Sequence, residues 1–154
     1  MHTNCRAGRS APCVLMADGG FKHLRLLQRW IEGQRVRVIK VKTASEALNI
    51  VEDSSHVQAK LNGLIVAHRL PDAMGHRVVL DFKREFPTAR AAMVLKHRNL
   101  TDEIWARSRG VVLMDVRPSG RELRNWVALL RGRTPAGVNE QAWLKDDGGR
   151  SVRV

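Results

Sequence analysis

Five short apolar runs alternate along this chain with five stretches of helical period, and that alternation limits the fold more than any other feature. Residues 14–17 form the first run, Val-Leu-Met-Ala, and Asp18-Gly19-Gly20 ends it with a turn signal. Leu24, Leu27 and Ile31 then fall at helical spacing in residues 21–32, before Gly33. Residues 35–42 alternate basic and apolar side chains, the pattern of a strand at a sheet edge, where charge discourages stray pairing. A helix is predicted over 43–52, with Thr43 or Ser45 as its cap and Ala47, Leu48 and Val51 inward. Strands follow at 61–67, 91–95 and 111–116. Between and after them, helices are expected at 75–85, 101–108 and 119–131. The first of these turns Val78, Val79, Phe82 and Phe86 inward, the second carries Ile104 and Trp105, and the last turns Leu123, Trp126, Val127 and Leu130 inward. Strands that alternate with helices imply an α/β fold: a (βα)5 doubly wound parallel sheet with right-handed crossovers and helices on both faces.

With 154 residues, the chain suits one domain over 13–132 flanked by flexible tails, 1–12 and 133–154, the second of which begins as a linker and offers Trp143 for docking. No apolar run approaches the roughly 20 residues of a membrane span, and residues 1–13 contain no signal-like apolar stretch. A cytoplasmic protein without a membrane partner is expected. Cys5 and Cys13 make neither a disulfide framework nor a zinc pattern and are read as free thiols. The histidines at 23, 68, 76 and 97 lack close ligand spacing, so neither a metal nor another cofactor is expected.

Charge is unevenly placed within the formal total of +12. Residues 22–42 carry seven basic groups against one acid and 90–133 carry ten against four, whereas 43–89 carry five against six. Lys22, Arg25 and Arg29 line the first helix, and Arg121, Arg124 and Arg131 line the last. Either stripe alone is an ordinary solvated face; two that adjoin would suit phosphate-backbone contact with DNA or RNA, salt-sensitive and weakly sequence-specific. No base-reading motif accompanies them.

In order and spacing, residues 13–132 resemble the receiver domain of two-component response regulators. Leu70-Pro71-Asp72-Ala73-Met74-Gly75 is similar to the family's Leu-Pro-Asp-Met-Asp-Gly loop, and residues 110–118, GVVLMDVRP, resemble the end of its fifth strand. Asp18 fits one of the family's paired acids. The resemblance implies a flavodoxin-like sheet of order 2-1-3-4-5, with binding at the carboxyl ends of the strands. It also implies that the first and last helices adjoin, and that the fourth helix and fifth strand, here with Trp105, Arg107 and Arg109, form a protein-binding or dimerising surface.

The chemistry of the family does not carry over. Its phosphorylated aspartate falls on Ala67, which has no oxygen to accept a phosphoryl group. The second magnesium acid falls on Gly19, and magnesium requires several hard oxygen ligands. The family's hydroxyl residue falls on Lys96, its lysine on Arg117 and its aromatic switch on Met114. Pro118 matches the proline, implying a cis peptide that would hold Arg117 toward the pocket.

The altered pocket gathers Asp18, His68, Arg69, Lys96, His97, Arg98 and Arg117, one acid among many cations. Two arrangements fit: Lys96 or Arg117 paired with Asp18, or a phosphate, nucleotide or other anion bound by the surplus charge. The expected function is a pseudo-receiver, a signalling adaptor that works by binding a regulatory protein or itself without phosphorylation. The alternative is a basic transcriptional regulator contacting DNA through its first and last helices. An enzyme is the weakest reading, because no nucleophile and base can be paired from the sequence.

Overall fold

A computed structural model of the chain describes residues 11–20, 22–56 and 60–132. Apart from Ala11 and Pro12, the expected tails lie outside the described residues, as do Cys5, Phe21 and Trp143. Ten elements alternate without exception: β1 (Cys13–Ala17), α1 (His23–Gly33), β2 (Arg37–Val41), α2 (Ala44–His56), β3 (Gly63–Ala67), α3 (Gly75–Glu85), β4 (Arg90–Leu95), α4 (Leu100–Arg109), β5 (Val112–Asp115) and α5 (Gly120–Leu130). The strands form one parallel sheet in the order β2-β1-β3-β4-β5.

Strand burial explains why the runs were so uniformly apolar. Every residue of β1 and β3 is buried, because helices cover both faces of the central sheet. At the edge, β2 is only partly covered, and its Arg37 and Lys40 are exposed. The strand starts two residues later than the alternation suggests, since Arg35 adopts a left-handed φ of 64° to leave α1. Thr43 rather than Ser45 caps α2: its Oγ1 accepts from the Glu46 N–H, while Glu46 Oε1 accepts from the N–H groups of Lys42 and Thr43. This helix runs a turn further than expected, to His56, and Ser55 donates to Glu85 at the end of α3.

The core unites both layers. Leu24, Leu27 and Ile31 of α1, Val78, Val79 and Phe82 of α3, and Leu123, Trp126, Val127 and Leu130 of α5 all pack on the sheet. Phe86 and Trp105 are half-buried, and Ile104 points outward. The buried Trp126 Nε1 has no hydrogen-bond partner among the described residues, so this indole contributes as apolar volume.

Candidate functional site

The carboxyl ends of β1 and β3 set the floor of the candidate site. Ala67 is buried at the last position of β3, and the chain then folds back tightly: Arg69 bridges to Met74, and the Gly75 N–H donates to the His68 carbonyl at 2.8 Å. Gly75 must be glycine here, because a Cβ would collide with the Ala67 carbonyl oxygen. Asp72 fastens the outer part of this loop to α2, accepting from the N–H groups of Ala44 at 2.8 Å and Ser45 at 3.0 Å. Those two backbone hydrogen bonds hold its carboxyl below the usual carboxylate range.

Asp18 is buried at the end of β1. Its Oδ1 accepts from the Gly20 N–H at 2.8 Å, and its Oδ2 lies 3.5 Å from Lys40 Nζ. The expected ion pair is therefore present but its cation is different: neither Lys96 nor Arg117 pairs with Asp18 among the described residues, and both are exposed. Sheet order is the reason. Met16 and Ala17 lie in register with Lys40 and Val41, so β2 delivers a lysine to this corner while β4 and β5 lie further away. Gly19 and Gly20 both take positive φ, 62° and 84°, so the glycine in place of a second acid also makes the turn. The expectation of a cis bond at Pro118 is not met, since no described peptide is cis and the trans form is the default.

Of the other residues expected in the pocket, His97 is exposed, whereas Arg98 and His68 engage partners away from Asp18. Arg98 donates to the Leu113 carbonyl at 2.9 Å and lies 3.5 Å from the Asp115 carboxylate. His68, just after β3, and His76, in the first turn of α3, both turn their Nε2 atoms to Asp102 in the first turn of α4, at 3.1 Å and 2.9 Å. Asn99, the cap of α4, accepts from the Asp102 N–H and donates from Nδ2 to Asp102 Oδ2 at 2.8 Å. Burial of Asp102 pushes its carboxyl upward. Hydrogen bonds from His76 and Asn99, and the electrostatic pull of the two imidazoles, outweigh this and leave it below the usual range. Edge contacts run from His68 to His76 and from His76 to Trp105, and the Arg109 guanidinium sits 5.0 Å over Trp105. This His68–His76–Asp102 cluster was not foreseen: eight and twenty-six residues separate its members, and only the crossovers bring them together. The Asn99-x-x-Asp102 cap was the available local signal.

No protein-family model matches the sequence, and no curated protein matches it significantly. Solved structures do match the fold. The chain is similar to a CheY-like response regulator receiver domain protein of Methanospirillum hungatei JF-1, with 18% identity, a TM-score of 0.67 and coverage of 80% of this chain and 98% of that one. It is similar to a response regulator receiver protein of Sinorhizobium medicae WSM419, at 16% identity and TM-score 0.66, covering 79% and 95% of the two chains. A receiver domain protein of Clostridium thermocellum gives 16% identity and TM-score 0.67, with 79% and 94% covered. The fold is that of a response regulator receiver domain.

On this receiver fold, a groove between α1 and α5 is lined by Leu26, Leu27, Trp30, Val116, Pro118 and Leu123 together with Arg117, the arginine expected at the Asp18 pocket. Lys22, Arg25 and Arg29 on α1 and Arg121 and Arg124 on α5 are exposed. Arg131 departs from the expected stripe. It is half-buried and donates from Nη2 to the Gln34 carbonyl at 2.6 Å, tying the end of α5 to the end of α1. Across the receiver, α4 leaves Leu100 70% and Ile104 57% exposed, one turn apart, beside the exposed Arg107 and Arg109. No helix among the described residues is long and apolar enough to cross a membrane.

Proposed function

We propose that the chain is a pseudo-receiver: a cytoplasmic signalling adaptor that acts by binding a regulatory protein or a second copy of itself, not by phosphoryl transfer or other catalysis. The observation that carries this reading is the methyl side chain of Ala67 at the end of β3, where the family resemblance places the phosphorylated aspartate. A methyl group cannot form an acyl phosphate. Around it, the single retained acid, Asp18, is engaged by Lys40 and the Gly20 N–H, and Gly19 contributes no ligand, which leaves magnesium too few hard oxygens.

The binding surface in this reading is the α4–β5–α5 side. Leu100 and Ile104 offer adjoining apolar contacts, and Trp105, Arg107 and Arg109 offer the aromatic and arginine chemistry that protein interfaces favour. Incubation with a small phosphodonor and magnesium should leave the intact mass unchanged. A phosphoryl adduct on Asp18 or Asp72 would overturn the reading.

A second reading has its own support. Lys22, Arg25, Arg29, Arg121 and Arg124 are all exposed on two helices that share a groove, as nonspecific contact with DNA or RNA requires. Binding to an unrelated oligonucleotide that weakens steeply with salt would favour this regulator role; no binding at low ionic strength would remove it.

A further inference from the structure

We propose that His68, His76 and Asp102 form a zinc site. Among the described residues this is the one group of three histidine, cysteine or acidic side chains placed to hold a metal ion, with all ligand atoms within 4.8 Å of one another. Its chemistry is that of a borderline-soft divalent ion: two imidazole nitrogens and one carboxylate, the donor set with which open zinc sites are built.

The placement favours a metal in three respects. First, both imidazoles present the same atom, Nε2, to opposite oxygens of one carboxylate, His76 to Oδ1 at 2.9 Å and His68 to Oδ2 at 3.1 Å. Ligands about 2.0–2.1 Å from a tetrahedral zinc stand roughly 3.4 Å apart; the two contacts open slightly toward that spacing, and the triad, whose ligand atoms all lie within 4.8 Å of one another, closes around the ion by side-chain rotation so that one carboxylate oxygen faces both nitrogens. Second, the carboxylate is already oriented from outside the triad, by the Asn99 Nδ2 donor at 2.8 Å, and the His76 ring is held against Trp105. Metal sites characteristically have such outer support. Third, Asp102 is buried whereas His68 and His76 keep 27% and 22% of their side chains exposed, so an ion can enter and keep a water or an exogenous group as its fourth ligand.

Zinc would bind both rings at Nε2 in the neutral form that carries its proton on Nδ1; a ring charged beforehand would release its Nε2 proton to solvent. Because the ligands come from the end of β3, the first turn of α3 and the first turn of α4, the ion would join three segments that the backbone leaves separate. The site shares the carboxyl ends of the strands with the Asp18 pocket, since His68 directly follows Ala67, but it uses none of the Asp18 contacts and does not depend on the adaptor reading.

The test is zinc titration of the untagged full chain against a competing chelator, with the imidazole nitrogens followed by NMR. Expected are binding that involves two histidines, with large shifts at the Nε2 atoms of His68 and His76, and weakening of at least about tenfold in His76→Gln. Cobalt substitution should produce the visible absorption of a tetrahedral centre, which His68→Gln and His76→Gln lose and His97→Gln retains. The proposal is overturned by no binding at micromolar zinc. It is equally overturned by binding that shifts only other histidines or cysteines. Since the NMR measurement uses the unmodified chain, it decides the matter even if a variant fails to fold.

Discussion

Lys40, exposed on the edge strand, places its ammonium 3.5 Å from the buried carboxylate of Asp18 on the neighbouring strand. The pair is lopsided: Lys40 keeps 34% of its side chain in solvent and Asp18 only 5%. Loss of the lysine therefore leaves a buried charge supported by the Gly20 N–H, whereas loss of the charge leaves a solvated lysine. Lys40→Met should destabilise the fold by about 1 kcal/mol, a figure kept small by the distance and the exposure. Asp18→Asn, which keeps an acceptor for Gly20, should recover much of that loss in the Lys40→Met background. Urea unfolding of the four members of this cycle measures the coupling, and strictly additive effects would show that the pair contributes nothing.

Asp72 predicts a pH dependence. Its carboxyl is held below the usual range by the N–H groups of Ala44 and Ser45, so the folded state favours the ionised form. The stabilisation is fully present above the ordinary carboxylate value of about 3.9 and is lost as pH falls through the lower folded value. Asp72→Ala should thus lower the unfolding midpoint at pH 7, with the difference from wild type closing below about pH 4. Asp72→Asn, still able to accept, should fall between the two. A difference that persists unchanged in acid would show that the cap does not act through the carboxylate.

The central strands were legible because β1 and β3 lie under helices on both faces and are buried throughout; Leu64-Ile65-Val66 is the apolar run that such a position requires. The role of Lys40 is not legible in the sequence for the converse reason. An edge strand carries charge for solvation and for pairing alike, and only the register with Met16 and Ala17 separates the two uses. Asp102 escaped notice because an acid in the first turn of a helix is ordinary complement to the helix dipole. Its burial under two distant histidines is a product of tertiary structure. Arg131 likewise continued a helical stripe in the sequence, yet it lies where α5 ends beside α1 and a backbone carbonyl needs a donor.

Gly75 opens α3 where the backbone passes against β3, and its missing side chain is a packing requirement. The Ala67 carbonyl oxygen occupies the space of a Cβ, and Val66 closes the other side. Backbone atoms cannot rotate away as a side chain would. Gly75→Ala should cost about 2 kcal/mol or more by displacing α3 or the 68–74 loop. Gly33→Ala, at a position where a Cβ meets nothing within 4 Å, should be neutral or slightly stabilising and serves as the control. Equal unfolding midpoints for the two variants would contradict this account.

Arg131 and the pair Arg121 and Arg124 carry the same charge on the same helix, but their surroundings assign them different work. Arg131 is half-buried and holds the Gln34 carbonyl at 2.6 Å, a contact that joins the ends of two helices 97 residues apart in sequence. Its replacement by methionine keeps the aliphatic volume and removes the donor, so Arg131→Met should cost about 1–2 kcal/mol of stability, as for a hydrogen bond from a charged group. Any oligonucleotide affinity should barely change. Arg121 and Arg124 are exposed, and Arg121→Glu with Arg124→Glu should leave the unfolding midpoint nearly unmoved. If the basic face contacts phosphates, that double reversal should weaken oligonucleotide binding by about tenfold or more at low salt and flatten its salt dependence. Stability and affinity measured on both variants distinguish the roles: a basic face that acts as one unit would give the two variants the same profile, and the geometry requires opposite ones.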